Sequence, residues 1–205
     1  MKENYLMLNG QKIQLTEDKL EKIKPMLPDR EKRLGDFEPG DAFKIGEHEF
    51  FVLEQYPNAT AVLYKGLLEK SMKFGENNNF ADDSCVVRER LDDLSSELAN
   101  LAGAENLIEH NVDLTSDDGL DDYGTTTAKV SLLTASQYRE YVRIIDEHKI
   151  DKWWWLVTPY STPTHEDADW IKCVSPRGHF DGGIYCGDRG VRPFCILNSN
   201  IFVSV

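Results

Sequence analysis

The 205-residue sequence predicts an α+β fold, a mixed sheet of short, mainly antiparallel strands with two helices. Residues 42–64 contain three apolar runs joined by short turns, a pattern typical of antiparallel strands. Residues 82–102 and 135–146 repeat apolar side chains at helical spacing. From residue 153 onward, short apolar runs are separated by Gly, Pro and Asp, which predicts further short strands.

The N-terminal residues 1–35 are predicted to form a small appendage, a β-hairpin followed by a helix. Apolar runs lie on both sides of Asn9 and Gly10, and Asn-Gly favours the type I′ turn of a hairpin. Thr16 can cap the helix. A polar linker bounded by prolines then leads into the main domain, residues 36–205.

The segment 82–102 is the clearest predicted helix. Asp82, Asp83 or Ser84 is expected to cap its start, and Gly103 to end it. Its inner face is formed by five apolar residues: Val87, Leu91, Leu94, Leu98 and Leu101.

A short strand is predicted at residues 129–133, directly before the second helix. Thr134 follows it and has a side chain suited to capping the helix at 135–146.

Three consecutive tryptophans stand in the stretch DKWWWLVTP, residues 151–159. In a strand, Trp153 and Trp155 would share one face and Trp154 would lie on the other. The following residues are apolar on both faces, which predicts a strand covered on both sides, with at least two of the tryptophans in the core. The alternative is an exposed platform on which a sugar stacks.

The net charge of −13 is concentrated in residues 76–122, which carry 14 Asp and Glu against Arg88 and Arg90 alone. Such a field repels nucleic acid and anionic membrane and attracts basic proteins. A row of carboxylates on successive helical turns also imitates a phosphate backbone. The predicted partner-binding residues, called the acidic face below, are Asp83, Glu89, Asp92, Asp93, Glu97, Asp117, Asp118, Asp121 and Asp122.

A second candidate surface lies in residues 160–189, which are rich in loops. His165 with Asp167, and His179 with Asp181, could assemble a metal or acid–base site there, but no catalytic motif accompanies them. Solvated loop residues are the simpler interpretation. The candidate residues of this loop surface are Tyr160, His165, Asp167, Asp169, His179 and Asp181.

Metal and cysteine chemistry are not expected. Residues 113–122 could hold calcium, but the spacing of an EF-hand is missing, so no metal or cofactor is predicted. The four cysteines are expected to be free thiols, with a Cys173–Cys186 bridge as the alternative. No signal peptide or membrane-spanning run is recognisable, so a cytoplasmic location is expected.

Five blocks of sequence resemble an uncharacterised bacterial and phage domain family. That family is similar to the C-type-lectin-like fold of formylglycine-generating enzymes and of the variable proteins of diversity-generating retroelements. The resemblance covers roughly residues 36–198 and leaves out the appendage. The blocks are GDAFKIGEHEFFVLEQY, KFGENNNFADDSCVVRERLDD, VSLLTASQYREY, WWLVTP and GVRPFCIL.

The resemblance implies a scaffold rather than an activity. It implies that the WWL strand runs through the central sheet with Trp153 and Trp154 as its core pair, and that Arg192 makes structural hydrogen bonds. Val157 stands where the family commonly has Arg. The close cysteine pair of formylglycine-generating enzymes is missing, which argues against their chemistry.

These observations predict a non-enzymatic binding protein of phage or mobile-element type. Its acidic face would occupy the basic, nucleic-acid-binding surface of a bacterial protein, as an anti-CRISPR or other counter-defence DNA mimic does, without contacting nucleic acid or membrane itself. The alternative is a receptor- or carbohydrate-binding module that uses the loop surface, remote from the acidic helix. An enzyme of the formylglycine-generating type is the third possibility.

Overall fold

The computed structural model describes residues 31–166 and 168–205, together with the backbone of two short N-terminal strands. The helices are α1 (Val86–Ala102) and α2 (Ala135–Glu147). The strands are β1 (Tyr5–Leu8), β2 (Gln11–Gln14), β3 (Glu31–Arg33), β4 (Ala42–Ile45), β5 (His48–Gln55), β6 (Ala59–Tyr64), β7 (Glu69–Lys73), β8 (Leu107–Ile108), β9 (His110–Asp113), β10 (Thr125–Ala128), β11 (Val130–Ser131), β12 (Trp154–Pro159), β13 (Trp170–Val174), β14 (Phe180–Ile184), β15 (Asp188–Val191), β16 (Phe194–Asn198) and β17 (Phe202–Ser204).

The two N-terminal strands, β1 and β2, pair antiparallel, as a hairpin requires. The predicted Asn9-Gly10 turn and the helix after Thr16 lie outside the described residues.

The larger sheet is antiparallel and curled, with the order β11-β16-β6-β5-β4-β17-β3 and β8 added against β16. Its centre is the meander β4-β5-β6, which the three apolar runs of residues 42–64 predicted. The smaller sheet has the order β14-β13-β12-β15-β7. It is mixed, because β12 and β15 run parallel while its other pairs are antiparallel. The predicted α+β class is confirmed.

Helix α1 begins later than predicted. Its N-cap is Cys85, which makes no side-chain capping hydrogen bond. The predicted caps Asp82 and Ser84 bond each other in the preceding turn, where the Asp82 carboxylate accepts the backbone N–H and the hydroxyl of Ser84. Gly103 ends the helix at a positive φ of 90°, as predicted. Leu101 was wrongly assigned to the inner face; it is 54% exposed and lies at the end of the helix, against the β4–β5 turn at Gly46.

Helix α2 begins as predicted, with a reciprocal pair of hydrogen bonds at its N-terminus. The Thr134 hydroxyl accepts the backbone N–H of Gln137, and the Gln137 side chain accepts the N–H of Thr134. The Thr158 hydroxyl of β12 accepts the N–H of Ala135, which ties the helix to the smaller sheet. Within the described part of the chain, no helix is long and apolar enough to cross a membrane.

The core has two parts because β5 and β12 each send alternate side chains to opposite sides. Helix α1 covers one part and helix α2 the other. The α1 side includes Phe50, Val52, Trp155 and Val157. The α2 side includes Phe51, Leu53, Trp154 and Leu156. A strand covered on both faces is therefore confirmed for β12.

Two of the three consecutive tryptophans are buried, but they are not the pair implied by the family resemblance. Trp154 and Trp155 are 2% and 0% exposed, whereas Trp153 is only partly buried. Strand β12 begins at Trp154, so Trp153 precedes the strand at the margin of the core. The indole N–H of Trp155 donates to the carbonyl of Met72 at 2.9 Å, which satisfies its polar atom inside the core.

Arg192 is 1% exposed and makes the structural hydrogen bonds that the resemblance implied. Its guanidinium donates to the backbone carbonyls of Tyr64, Lys65 and His148 at 2.9, 3.2 and 2.9 Å. Burial lowers the pKa of Arg192 to about 10, so the side chain stays protonated at neutral pH and keeps its donors.

All four cysteines are free, and three of them are buried. Burial raises the pKa of Cys85 to about 11 and that of Cys195 to about 12, which removes the reactive thiolate. We therefore expect a thiol reagent to modify Cys186 alone in the folded protein and all four cysteines after denaturation without reductant. Counting modified thiols by mass spectrometry checks this, and a folded protein that takes up two or more labels as fast as one would contradict it.

Candidate functional site

The first part of the acidic face lies on and just before α1. The inner side of α1 is buried, so the four carboxylates on its outer side (Glu89, Asp92, Asp93 and Glu97) point to solvent and are exposed. Asp83, which precedes the helix, is exposed as well. Among residues 31–166 and 168–205, no basic side chain forms an ion pair with Asp83, Glu89, Asp92 or Asp93.

Glu97 differs from the other helical carboxylates because it has basic neighbours. Its carboxylate lies 3.4 Å from Arg90 and 3.3 Å from His48. Arg90 is shared with Glu69 of β7 at 2.9 Å, so this arginine attaches α1 to the smaller sheet. Glu97 therefore belongs in part to the framework and contributes less uncompensated charge than Asp92 or Asp93.

The remaining acidic-face residues lie on the loop between β9 and β10, which a tight turn closes. The backbone N–H of Ser116 donates to the carbonyl of Leu120, and its hydroxyl bonds both Asp118 and the Leu120 backbone. This turn aims Asp117 and Asp118 at the loop surface, whereas Asp121 stays exposed.

Asp118 contacts three side chains from two segments. Besides the Ser116 hydroxyl, its carboxylate accepts the Ser161 hydroxyl at 2.7 Å and lies 2.8 Å from Nδ1 of His165. These hydrogen bonds, with that of Ser116 the strongest, hold the pKa of Asp118 far below its ordinary value.

Asp117 is neutralised by two cations. Its carboxylate pairs with the Lys172 ammonium at 3.0 Å and with the Arg139 guanidinium at 3.1 Å. Partial burial acts to raise the pKa of Asp117, but the two cations outweigh it and the pKa lies below its ordinary value. Lys172 is almost fully buried, and its ion pair with Asp117 compensates its buried positive charge.

Asp122 and Tyr123 connect the loop to two further segments. The Asp122 carboxylate accepts the hydroxyls of Thr162 at 2.5 Å and Thr164 at 2.7 Å. The Tyr123 hydroxyl donates to Asn78 at 2.7 Å, shortly before α1 begins, and the Asn78 amide donates to the carbonyls of Ser161 and Trp170. The acidic loop therefore lies between the start of α1 and the loop surface.

The two candidate surfaces, treated as separate in the sequence, meet in the structure. Residues 117–122 of the acidic face contact His165, Thr162 and Lys172, which are within the 160–189 segment. Of the nine residues of the acidic face, three use their charge in these contacts. Asp83, Glu89, Asp92, Asp93 and Asp121 are left to face solvent, and Glu97 is partly compensated by Arg90 and His48.

The loop surface contains an aromatic cleft, defined by Tyr160, Trp170, Asp181 and Gly182, with a volume of about 310 Å³. Tyr160 and Trp170 are each 44% exposed, at the end of β12 and the start of β13. The backbone N–H of Tyr160 donates to the carbonyl of Trp170 at 2.9 Å, which holds the two residues side by side.

The other predicted residues of the loop surface do not share a single site. Asp169 and His179 are exposed at opposite ends of the β13–β14 hairpin, and His165 bonds Asp118 instead of lining the cleft. Asp167 lies outside the described residues. Within the described ranges, no group of three or more His, Cys, Asp and Glu side chains could hold a metal ion.

Trp170 and Gly182 are the functional candidates that sequence reasoning missed. Trp170 is the only tryptophan outside the 153–155 run and follows the polar segment 160–169, which was the available signal. Nothing in the sequence marks Gly182 as part of a site, because its role depends on the rings of Tyr160 and Trp170, which are distant in the chain or on another strand.

Acid should weaken the loop network, and Asp118→Asn tests this. The folded-state pKa of Asp118 lies below the roughly 3.9 of an unfolded aspartate, so its contribution to stability is present above that pH and is lost as the pH falls through and below it. We therefore expect the stability difference between wild type and Asp118→Asn to shrink from pH 7 toward pH 3 in urea titrations. Asp121→Asn is the matched control, and the same shrinkage in that variant would contradict the assignment.

Comparison with known protein families, with curated proteins and with solved structures finds no match to this chain.

Proposed function

We propose that this protein is a non-enzymatic binding protein that occupies the basic, nucleic-acid-binding surface of a bacterial protein, as a counter-defence DNA mimic of phage or mobile-element type does. The observation that carries the proposal is the outer side of α1. There, Glu89, Asp92 and Asp93 are exposed, and no basic side chain in the described ranges pairs with them.

The distribution of charge supports a binding role more than a purely structural one. A solvated helix gains stability from ion pairs between side chains three or four residues apart, and Glu89, Asp92 and Asp93 on the outer side of α1 form none. Like charges gathered on one face raise the free energy of the isolated protein and are compensated when a basic surface covers them. The exposed Asp121 extends this charge beyond the start of the helix.

The cytoplasm is the proposed site of action. Four free cysteines, three of them buried, fit a reducing compartment, and an intracellular nucleic-acid-binding protein would be met there.

The C-type-lectin-like assignment remains part of the proposal. Its support is the position of the WWL segment, because β12 is the middle strand of the five-stranded mixed sheet. Arg192 of the GVRP block follows β15, the strand parallel to β12, and its guanidinium bonds three backbone carbonyls.

The direct test compares two charge-reversed variants in capture from a bacterial lysate. Glu89→Lys, Asp92→Lys and Asp93→Lys together should abolish capture of the partner, because exposed charges within about 8–10 Å dominate the contact at physiological salt. The control is Glu140→Lys, Glu147→Lys and Asp151→Lys, three exposed carboxylates on and after α2 that give the same change in net charge. It should retain most of the binding.

Two further readouts separate charge mimicry from other binding. Capture should fall steeply with salt, and duplex DNA should displace the captured partner, since both compete for one basic surface. Equal loss in the two variants would mean that net charge alone matters. A partner that DNA does not displace would contradict the DNA-mimic proposal.

A receptor- or carbohydrate-binding role is the second candidate, favoured by the two exposed aromatic rings of the cleft. In that case Tyr160→Ala and Trp170→Ala would abolish binding while the charge reversal on α1 left it unchanged.

A further inference from the structure

The Trp170 ring lies close against the backbone of Gly182, which has no side chain to keep it away. A Cβ atom added at Gly182 would lie 3.2 Å from Cε3 of Trp170 and 3.8 Å from Cδ2 of Tyr160. The glycine thus sets the position of the Trp170 ring over strand β14. Both residues are partly exposed, and adjacent exposed aromatic side chains around a cleft are typical of a binding site.

The carboxylate that lines the cleft belongs to Asp181, and Asp169, next to Trp170 in the chain, is exposed. Two cations lie nearby: the Lys172 ammonium is 5.3 Å from the centroid of the Tyr160 ring, and the Arg139 guanidinium is 4.7 Å from that of Phe180, next to Asp181. Both cations pair with Asp117, whereas among the described residues neither Asp169 nor Asp181 forms an ion pair.

We propose that the aromatic cleft seats an arginine side chain of the basic partner, between the rings of Tyr160 and Trp170 and against the Asp181 carboxylate. The proposal rests on the proposed function and names its anchoring contact. A guanidinium is planar, stacks on aromatic faces and donates a fork of hydrogen bonds to a carboxylate. Tryptophan, tyrosine and arginine are also the side chains that dominate binding at protein interfaces.

Arginine fits this cleft better than the other candidate occupants. A lysine ammonium is strongly hydrated and cannot stack as a plane, so it would use the carboxylate but less of the two rings. A sugar would also stack on the rings and donate hydroxyl hydrogen bonds to Asp181, but it has no positive charge to pair with the carboxylate.

The test uses two short peptides of equal charge, one of alternating Gly and Arg and one of alternating Gly and Lys. Binding is measured by calorimetry at physiological salt, and the indole N–H signal of Trp170 is followed by NMR. The arginine peptide should bind more tightly and shift that signal. Trp170→Leu should weaken arginine-peptide binding about tenfold, as expected for loss of a cation–π contact, and remove the difference between the peptides.

Gly182→Ala is a second variant, which shifts the Trp170 ring through a 3.2 Å contact without removing either ring, and it should weaken arginine-peptide binding in the same direction. Phe202→Leu is the matched control, since Phe202 is a 65% exposed aromatic in the other sheet. It should leave the binding of both peptides unchanged.

The outcomes distinguish the cleft from the proposed function. If Trp170→Leu and Gly182→Ala bind both peptides like wild type while the α1 charge reversal abolishes binding, the arginine seat is wrong and the acidic face stands. If methyl glycosides shift the Trp170 signal and the arginine peptide does not, the cleft is a carbohydrate site. If wild type binds neither peptide while the α1 charge reversal still abolishes lysate capture, the arginine seat is wrong and the acidic face stands.

Discussion

Trp154→Ala and Trp155→Ala should each lower the free energy of unfolding by about 3–5 kcal/mol, the usual cost of replacing a buried tryptophan by alanine. Trp155 packs on the α1 side with Phe74, at 5.8 Å between ring centroids. Trp154 packs on the α2 side with Tyr138 at 5.7 Å. Because the two rings occupy different parts of the core, each substitution leaves its own cavity.

Urea titration of the single variants measures these losses, with Trp153→Ala as the control. Trp153 is only partly buried and should cost clearly less. A loss for Trp153→Ala as large as that for Trp155→Ala would contradict the placement of Trp153 at the margin of the core.

Arg192→Ala should be comparably destabilising, by about 3–5 kcal/mol, because it opens a cavity and leaves buried carbonyls without a donor. The guanidinium lies 5.3 Å from both the Phe51 and the Trp154 ring centroids, so its packing is lost with its hydrogen bonds. Removing a buried charge offsets part of this cost, but the alanine replaces neither the volume nor the donors.

Arg192→Lys separates charge from geometry. It keeps a cation but replaces the planar fork by one ammonium, which cannot reach all three carbonyls as the arginine does. We expect most of the loss to remain in thermal and urea unfolding. Wild-type stability in Arg192→Lys would show that a positive charge alone is sufficient at this position.

Sequence periodicity predicted the local parts of the fold well. The β4-β5-β6 meander, the body of α1 and the capped start of α2 all follow from residues close together in the chain. These features are readable because hydrophobic spacing records which face of a segment is covered. The ends of the helices were less predictable, as the late start of α1 and the exposure of Leu101 show. Contacts with neighbouring segments decide where a helix stops being buried.

The candidate site was only partly predictable. Glu89, Asp92 and Asp93 could be placed on the outer side of α1 from the spacing of its leucines. The roles of Asp117 and Asp118 could not, since their partners Lys172 and His165 are more than forty residues further along the chain.

The sequence by itself determined that β12 is covered on both faces and that the charge of the chain gathers around α1. Only the tertiary structure decided that Trp155, and not Trp153, is buried together with Trp154. It also decided that part of the charge of the acidic loop is neutralised by basic side chains, and that Trp170 is exposed next to Gly182. The physical reason is that the spacing of apolar residues shows that one side of a strand or helix is buried. Which residues bury it depends on how the sheets bring together segments that are distant in the chain.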